Sequence, residues 1–363
     1  MMRSNLLRFL KNLAAFVRWR DWGPGKVPVF CIGLFYAGLA NGQTSGLFCI
    51  DVVKFLFFIT LQSALGYVLN NWSDRHLDEL HGKENSFRQL THAQGVAAIG
   101  VLFFLACLSV LPFIERKNVL WLWMALMFLS YAYSMKPLRL KERGFAGLIA
   151  ATLAQWPVPI MLTFAAMNRF GGWDMVIFVL ALTMSGATLE VAHQRSDRMR
   201  DLSTQTKTFA ARMPEGKLDR LFLSLLLLDK LAIGALLITI AMGLQPLPLM
   251  GRTVSPGIPL VTLYVLLLAY SLFETVRSLR HGCILDPYNS SVRNASNFLH
   301  ETLLNFVVPI SLMALASAYN PVNGAVLVIF LFWRLILGAA DWKWPITVLL
   351  GRWSNIRHSR HVP

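Results

Sequence analysis

Acidic residues are scarce in this chain. Its 363 residues include 34 lysines and arginines against 19 aspartates and glutamates, a formal net charge of +15. Cysteine is scarcer still. Cys31, Cys49, Cys107 and Cys283 are scattered, mostly in or beside apolar runs, with no CxxC and no Cys/His pairing. That excludes a cysteine-based zinc site and a disulfide framework, and leaves inert thiols. Charge of either sign makes up only 15% of the chain, whereas 55% is hydrophobic and the mean hydropathy is +0.52. A soluble domain of this size needs a more polar surface, so composition points to an integral membrane protein. A soluble domain, a low-complexity linker, a short-period repeat and a cleavable signal peptide are not evident either. The opening MMRSNLLRFLKNLAAFVRWR instead predicts an amphipathic helix lying in the membrane interface.

What is present is apolar length. A membrane-crossing helix needs about 20 predominantly apolar residues. Such runs fall at roughly 27–47, 50–70, 93–114, 118–135, 145–167, 173–192, 219–243, 257–277, 299–318 and 321–340. The predicted fold is all-α: a polytopic membrane protein of nine to ten transmembrane helices. The first and ninth runs are the weakest, because NGQTSG (41–46) interrupts one and YNPVNG (319–324) reads as a tight turn. Basic residues then set the orientation. With residues 1–26 placed in the cytoplasm, that segment, the even-numbered loops and the C-terminal end carry 27 of the 34 lysines and arginines. The opposite loops carry four, Arg116, Lys117, Arg169 and Arg252, while Lys54, Lys230 and Arg334 fall within spans. The positive excess is therefore a topological and lipid-surface feature, not a nucleic-acid face. The expected organisation is a cytoplasmic amphipathic segment over 1–26, a membrane domain over 27–340 and a basic cytoplasmic tail over 341–363. The expected location is a membrane crossed many times, the inner membrane if the cell is bacterial.

Because acids are few, the places where they gather carry information. LGYVLNNWSDRHLDELHGKEN (65–85) ends the second span with Asn70, Asp74 and Asp78, a step of four that puts all three on one helix face. A single such pair of aspartates is ordinarily a solvated helix end. A second occurs after the sixth span: LEVAHQRSDRMRDLSTQTKTFAAR (189–212) contains Asp197 and Asp201, preceded by Glu190, His193 and Gln194. Both groups lie at predicted cytoplasmic span ends. Converging carboxylates repel unless cations sit between them, and hard divalent ions such as Mg²⁺ take oxygen ligands and bridge to phosphate. Basic residues surround the clusters: Lys83 and Arg88, then Lys136, Arg139, Lys141 and Arg143 in YAYSMKPLRLKERG (131–144), then Arg198 and Lys207. Forked guanidinium donors and point charges suit a diphosphate, although the positive-inside bias alone also places many of them here.

These motifs resemble the UbiA family of intramembrane prenyltransferases. The family's first motif, N-D-x-x-D-x-x-x-D after the second helix, is matched by Asn70, Asp74 and Asp78. Its second, D-x-x-x-D after the sixth helix, is matched by Asp197 and Asp201, with Glu190 at the additional acidic position seven residues earlier. Tyr133 to Gly144 resembles the family loop Y-S-x-x-P-x-[RK]-L-K-x-x-G. The likeness spans about residues 25 to 320. Asn71 stands where the first motif usually has its leading aspartate, NSFRQL replaces a common Asn-Arg-Pro, and the family usually has nine helices.

The resemblance implies a bundle around a central cavity and transfer of a prenyl group from an isoprenoid diphosphate to an acceptor, often aromatic, a small molecule or a lipid. It implies a Mg²⁺ cofactor on Asn70, Asp74, Asp78, Asp197 and Asp201, the same residues that carry catalysis. Lys83, Arg88, Tyr133, Arg139, Lys141, Arg198 and Lys207 would bind the diphosphate, and Glu190, His193 and Gln194 would stand near the acceptor. Tyr36, Tyr67, Trp72 and Trp156 are candidates to shelter an allylic cation, with lipid-facing or interfacial packing as the alternative. Three other readings remain open. One is transfer of a phosphoribosyl or other group to a polyprenyl phosphate. Another is a transporter using the intramembrane charges Asp229, Lys230 and Glu274, and the third is a member that has lost catalysis with Asn71.

Overall fold

Proline and glycine set many of the helix boundaries. The computed structural model describes residues 11–336 apart from 81, 83, 204–205, 207, 250–251 and 289–293. The predicted tail over 341–363 and the first ten residues lie outside this set. A helical stretch over 11–16 leads into α1 (Trp19–Ala40), followed by α2 (Gly46–Leu80), α3 (His92–Val110) and α4 (Val119–Ser134). Then come α5 (Phe145–Gln155), α6 (Pro157–Ala166), α7 (Trp173–Ser203), the short α8 (Phe209–Arg212) and α9 (Glu215–Gly243). A two-stranded antiparallel hairpin, β1 (Leu247–Leu249) and β2 (Arg252–Val254), precedes α10 (Ile258–Arg280). The chain closes with α11 (Ala295–Asn297) running into a π-helical segment (Phe298–Val307), then α12 (Val308–Tyr319) and α13 (Gly324–Leu331).

Eight of these helices, counting α5–α6 and α11–α12 each as one, are long and apolar enough to cross a membrane; α4 and the stretch Pro321–Arg334 are shorter. The ten expected runs thus all fall on helices, but two of them miss the length of a full span. Local chemistry explains several departures. α1 starts at Trp19, eight residues before the expected first span. The expected fifth span is broken at Trp156, because a residue before proline is pushed out of the helical region and Pro157 opens α6. Pro309 cannot donate to the Asn305 carbonyl, and there the π-helical winding gives way to α12.

α1 is the central staff. Its residues from Trp22 to Leu39 are nearly all buried, and it packs on α2, α6, α12 and the π-helical segment. α7 and α9 run side by side. α3 and α10 turn Phe103, Phe104, Leu108, Val265, Leu266 and Phe273 outward, the arrangement expected of helices facing lipid. With 35 residues, α2 is about 52 Å long, well beyond the ~30 Å hydrocarbon layer. Its last three turns, which carry Asn70 to Asp78, therefore stand clear of the bundle's apolar middle. α7 has 31 residues and does the same with Asp197 and Asp201.

Candidate active site

Successive residues of α2 turn by about 100°, so Asn70, Ser73 and Asp74 share one flank while Asn71 faces another. The single helical turn Leu140–Glu142, after α4, lies across that flank. Lys141 Nζ donates to Asn70 Oδ1 at 2.8 Å, Ser73 Oγ at 2.9 Å and Asp74 Oδ1 at 2.6 Å. Arg139 Nη2 reaches the same Asp74 oxygen at 3.0 Å, and its Nη1 donates to the Ser73 carbonyl at 3.1 Å. Two cations meet the Asp74 carboxylate, and Arg139 Nε also pairs with Glu142 at 2.5 Å, so the cluster is balanced in formal charge. Burial pulls the Lys141 ammonium below the usual lysine range, and Asp74 opposes the shift. Glycine seats the turn: a Cβ on Gly147 of α5 would stand 2.6 Å from the Leu140 carbonyl oxygen and 3.0 Å from the Lys141 Cα.

Beyond the cluster a cavity of about 310 Å³ opens between α1, α2, α4, α5, α6 and α7. Asn70 belongs to both cluster and cavity. Tyr133, Glu190 and His193 line the cavity with it, as do Tyr67 and Trp156. Trp156 lies flat against α7 because Gly186 offers no side chain; a Cβ there would fall 2.0 Å from the indole. Asp197 follows His193 by one turn of α7 and Asp74 follows Asn70 by one turn of α2, so the first acid of each pair lies one helical turn beyond a residue that lines the cavity.

Other expected site residues have different partners. Asp78 Oδ2 accepts from Asn85 Nδ2 at 2.7 Å. Asp197 pairs with Arg200 at 3.3 Å, and Asp201 accepts from the Thr208 hydroxyl at 2.8 Å. Gln194 donates to Glu190 Oε1 at 3.1 Å and accepts from the Ala210 amide at 3.4 Å. Arg198 donates to the carbonyls of Ala210 and Met213 and so braces α8. Arg88 is exposed and does not line the cavity. Lys83 and Lys207 lie outside the described residues. Of the four aromatic candidates, Tyr67 and Trp156 reach the cavity. Tyr36 instead donates to Asp174 at 3.1 Å, and Trp72 packs on Phe87 and His92.

Asn71 is buried, with 4% of its surface exposed. Its Oδ1 accepts from Arg18 Nη1 at 3.1 Å, its Nδ2 donates to Ser86 Oγ at 2.9 Å, and its carbonyl accepts from Asn85. It joins the N-terminal segment to the loop after α2 and points away from the Asp74 flank. The intramembrane charges are likewise satisfied internally. Asp229 Oδ2 accepts from His300 Nδ1 (2.7 Å) and the Tyr288 hydroxyl (3.3 Å), and Ser185 donates to its Oδ1. Lys230 Nζ meets His300 Nε2 at 2.8 Å and Ser296 Oγ at 3.1 Å. Glu274 accepts from the Ala295 and Ser296 amides at the start of α11. These contacts give the three charges structural roles, and the transporter reading loses its motive.

The sequence model of the UbiA prenyltransferase family matches residues 27–282. The chain belongs to this family. Solved structures share the fold at low identity. A UbiA homolog from Archaeoglobus fulgidus bound to GPP and Mg²⁺ is 17% identical, with a TM-score of 0.56 over 87% of this chain and 99% of that one. The same homolog bound to DMAPP and Mg²⁺ is 16% identical, with a TM-score of 0.54 over 83% and 99%. A digeranylgeranylglyceryl phosphate synthase is 15% identical, with a TM-score of 0.53 over 85% and 98%. No curated protein matches the sequence.

Whether the mouth suits the Mg²⁺ of the family is a question of donors. Among the described residues, no three histidine, cysteine, aspartate or glutamate side chains are gathered closely enough to hold an ion. The donor type does fit. The aspartates of both pairs offer hard oxygen, and among the described residues Oδ2 of both Asp74 and Asp197 has no hydrogen bond. Asp74, Asp78, Asp197 and Asp201, with the Asn70 amide oxygen, are the groups that could contribute to holding the ion. Sequence reasoning missed Lys26, Gln62 and Ser73. In the sequence Lys26 reads as part of the N-terminal basic segment, and no periodic signal separates it from topological charge.

Proposed function

We propose that the protein transfers a prenyl group from an isoprenoid diphosphate to an acceptor inside this cavity, with Mg²⁺ at the mouth. The observation that carries the reading is the joining of two environments: the Lys141–Arg139–Asp74 cluster and a cavity whose walls combine apolar and aromatic side chains such as Phe30, Leu126, Trp156 and Leu189 with polar ones. A diphosphate suits the first and an isoprenoid chain the second. The fold neighbours bound to GPP, DMAPP and Mg²⁺ support it. Bound Mg²⁺ supplies Lewis-acid stabilisation of the leaving diphosphate. Lys141 and Arg139 add fixed positive charge where the leaving group gains electrons. The bond between prenyl C1 and diphosphate oxygen breaks with both electrons on the diphosphate. Among the aromatic side chains on the cavity wall, Trp156 is the one assigned to shelter the allylic cation. The acceptor's nucleophilic atom then bonds C1 and yields a proton, for which the Glu190 carboxylate is the base in the cavity.

The test incubates purified, reconstituted protein with Mg²⁺, labelled isoprenoid diphosphates of several lengths and a panel of acceptors. Asp74→Ala and Asp197→Ala are each expected to lower transfer by a factor on the order of 10²–10³, and chelation of Mg²⁺ to stop it. Transfer that survives in both variants would sink the site assignment. Failure of every diphosphate to bind would sink the whole reading.

A further inference from the structure

Arg334 is a buried cation set apart from the cavity. α13 continues past Leu331 into a π-wound turn over Phe332–Ile336, and this turn lies against the first half of α1. Arg334 is 6% exposed and does not line the cavity. Its Nη1 donates to the Pro24 carbonyl at 2.9 Å, an oxygen left over because Pro28 has no N–H. Its Nε is enclosed without a hydrogen bond, and among the described residues Nη2 has none either. No described carboxylate pairs with it; Asp21, the acid in this half of α1, pairs with Arg18 at 2.6 Å. A carbonyl needs one N–H and leaves the charge unmet, so a neutral amide would serve Pro24 at lower cost. Nε and Nη2 together form the guanidinium edge that grips two oxygens of one phosphate. The surroundings suit a lipid headgroup. Trp19 and Trp333 meet with ring centroids 5.6 Å apart, and Pro24 lies five residues, about 8 Å, from the start of α1. This is the end of the bundle where Arg18 meets Asn71 of α2. Arg20, exposed and one turn before Pro24 on the same flank of α1, adds a second cation. Val328, Ile329 and Phe332 are exposed on the outer face of the same helical stretch, where lipid chains would lie.

We infer that the Nε–Nη2 edge of Arg334 is a binding site for the phosphate of an anionic membrane lipid, with Arg20 at its approach. The site lies outside the cavity and is independent of the prenyl-transfer reading.

Native mass spectrometry of the full chain in neutral detergent measures the affinity of the most tightly held lipid. Phosphatidylglycerol is compared with diacylglycerol of the same chains, which lacks the phosphate. Wild-type protein is expected to bind phosphatidylglycerol at least about tenfold more tightly. Arg334→Met is expected to abolish that preference. Arg334→Lys can still donate to Pro24 but lacks the fork, so it is expected to lose most of the preference, and it decides the matter if the methionine variant does not fold. Parallel samples receive inorganic phosphate or geranyl diphosphate, and neither is expected to displace the lipid at equal concentration. Displacement by inorganic phosphate would name a free anion as the ligand, and displacement by geranyl diphosphate would put the lipid in the cavity; either overturns the inference. So does the lack of a preference in the wild type, or a preference that persists unchanged in a folded Arg334 variant.

Discussion

At the scale of single residues, Asn71 is the position whose meaning changes most. By motif it looks like a carboxylate lost from a metal cluster. By geometry it is a joint, accepting from Arg18 and Asn85 and donating to Ser86, on a flank turned about 100° from Asn70. An aspartate there keeps the bond from Arg18, now charge-assisted, and forfeits the donation to Ser86. Asn71→Asp is therefore expected to leave Mg²⁺ dependence and prenyl transfer within about twofold of wild type. Asn71→Ala, which strands buried polar groups, is expected to cost about 1–3 kcal/mol of stability. Mg²⁺ titrations of activity and denaturant unfolding check the pair; a large gain in Mg²⁺ affinity in Asn71→Asp would restore the ligand reading. Asp74, Arg139 and Lys141 were legible from the sequence, because a step of four and a basic loop are local patterns. Asp78, Arg198 and Gln194 also hydrogen-bond Asn85, Ala210 and Met213, and no spacing in the chain announces those contacts.

At the scale of elements, the buried ionic network holds α9, α7, α10 and the π-helical segment together. Asp229 and Lys230 are adjacent in α9 and point in different directions, so each needs a partner from elsewhere. His300 supplies both, one ring nitrogen to each. Periodicity could show that the pair is buried; it could not show that a histidine 70 residues away completes it. Removing one member leaves the others desolvated and unmatched. Asp229→Leu is expected to destabilise the protein by about 3–5 kcal/mol, whereas adding Lys230→Met restores a neutral interior and recovers part of the loss. Thermal unfolding of the single and double variants measures this. A double variant less stable than Asp229→Leu would show that the charges are not coupled through His300. Proline acts at the same scale. Pro28 has no N–H, which frees the Pro24 carbonyl inside α1, and Arg334 Nη1 donates to it at 2.9 Å. The intramembrane Arg334 thus has a packing role that depends on a break in another helix's ladder.

At the scale of the whole molecule, the excess of positive charge at one end is the ground for the expected orientation, and the exceptions have other roles. Of the four basic residues assigned to the opposite side, Arg116 binds Asp51 and the Ala166 carbonyl, and Arg169 binds Asp174, Asn41 and the Ala40 carbonyl. These arginines clamp helix ends, so the bias is free of two of its counterexamples. The helical runs were legible because they are long and apolar, although eight rather than nine to ten of them reach the length of a span among the described residues. The shortness of α4 follows from Asn118 before it and Pro137 after it, details that run length blurs. We propose that the mouth with Asp74 and Asp197 faces the cytoplasm. Cys283 is a native reporter: it is exposed in the loop after α10, at the same end as the mouth, whereas Cys31 and Cys49 are buried. In intact cells a membrane-impermeant thiol reagent is expected to leave Cys283 unlabelled and, in a Cys283→Ser background, to label Lys117→Cys, which is exposed on the opposite side. Inverted vesicles are expected to reverse the pattern. Labelling of Cys283 from outside intact cells would turn the molecule over and place the diphosphate site on the far side of the membrane.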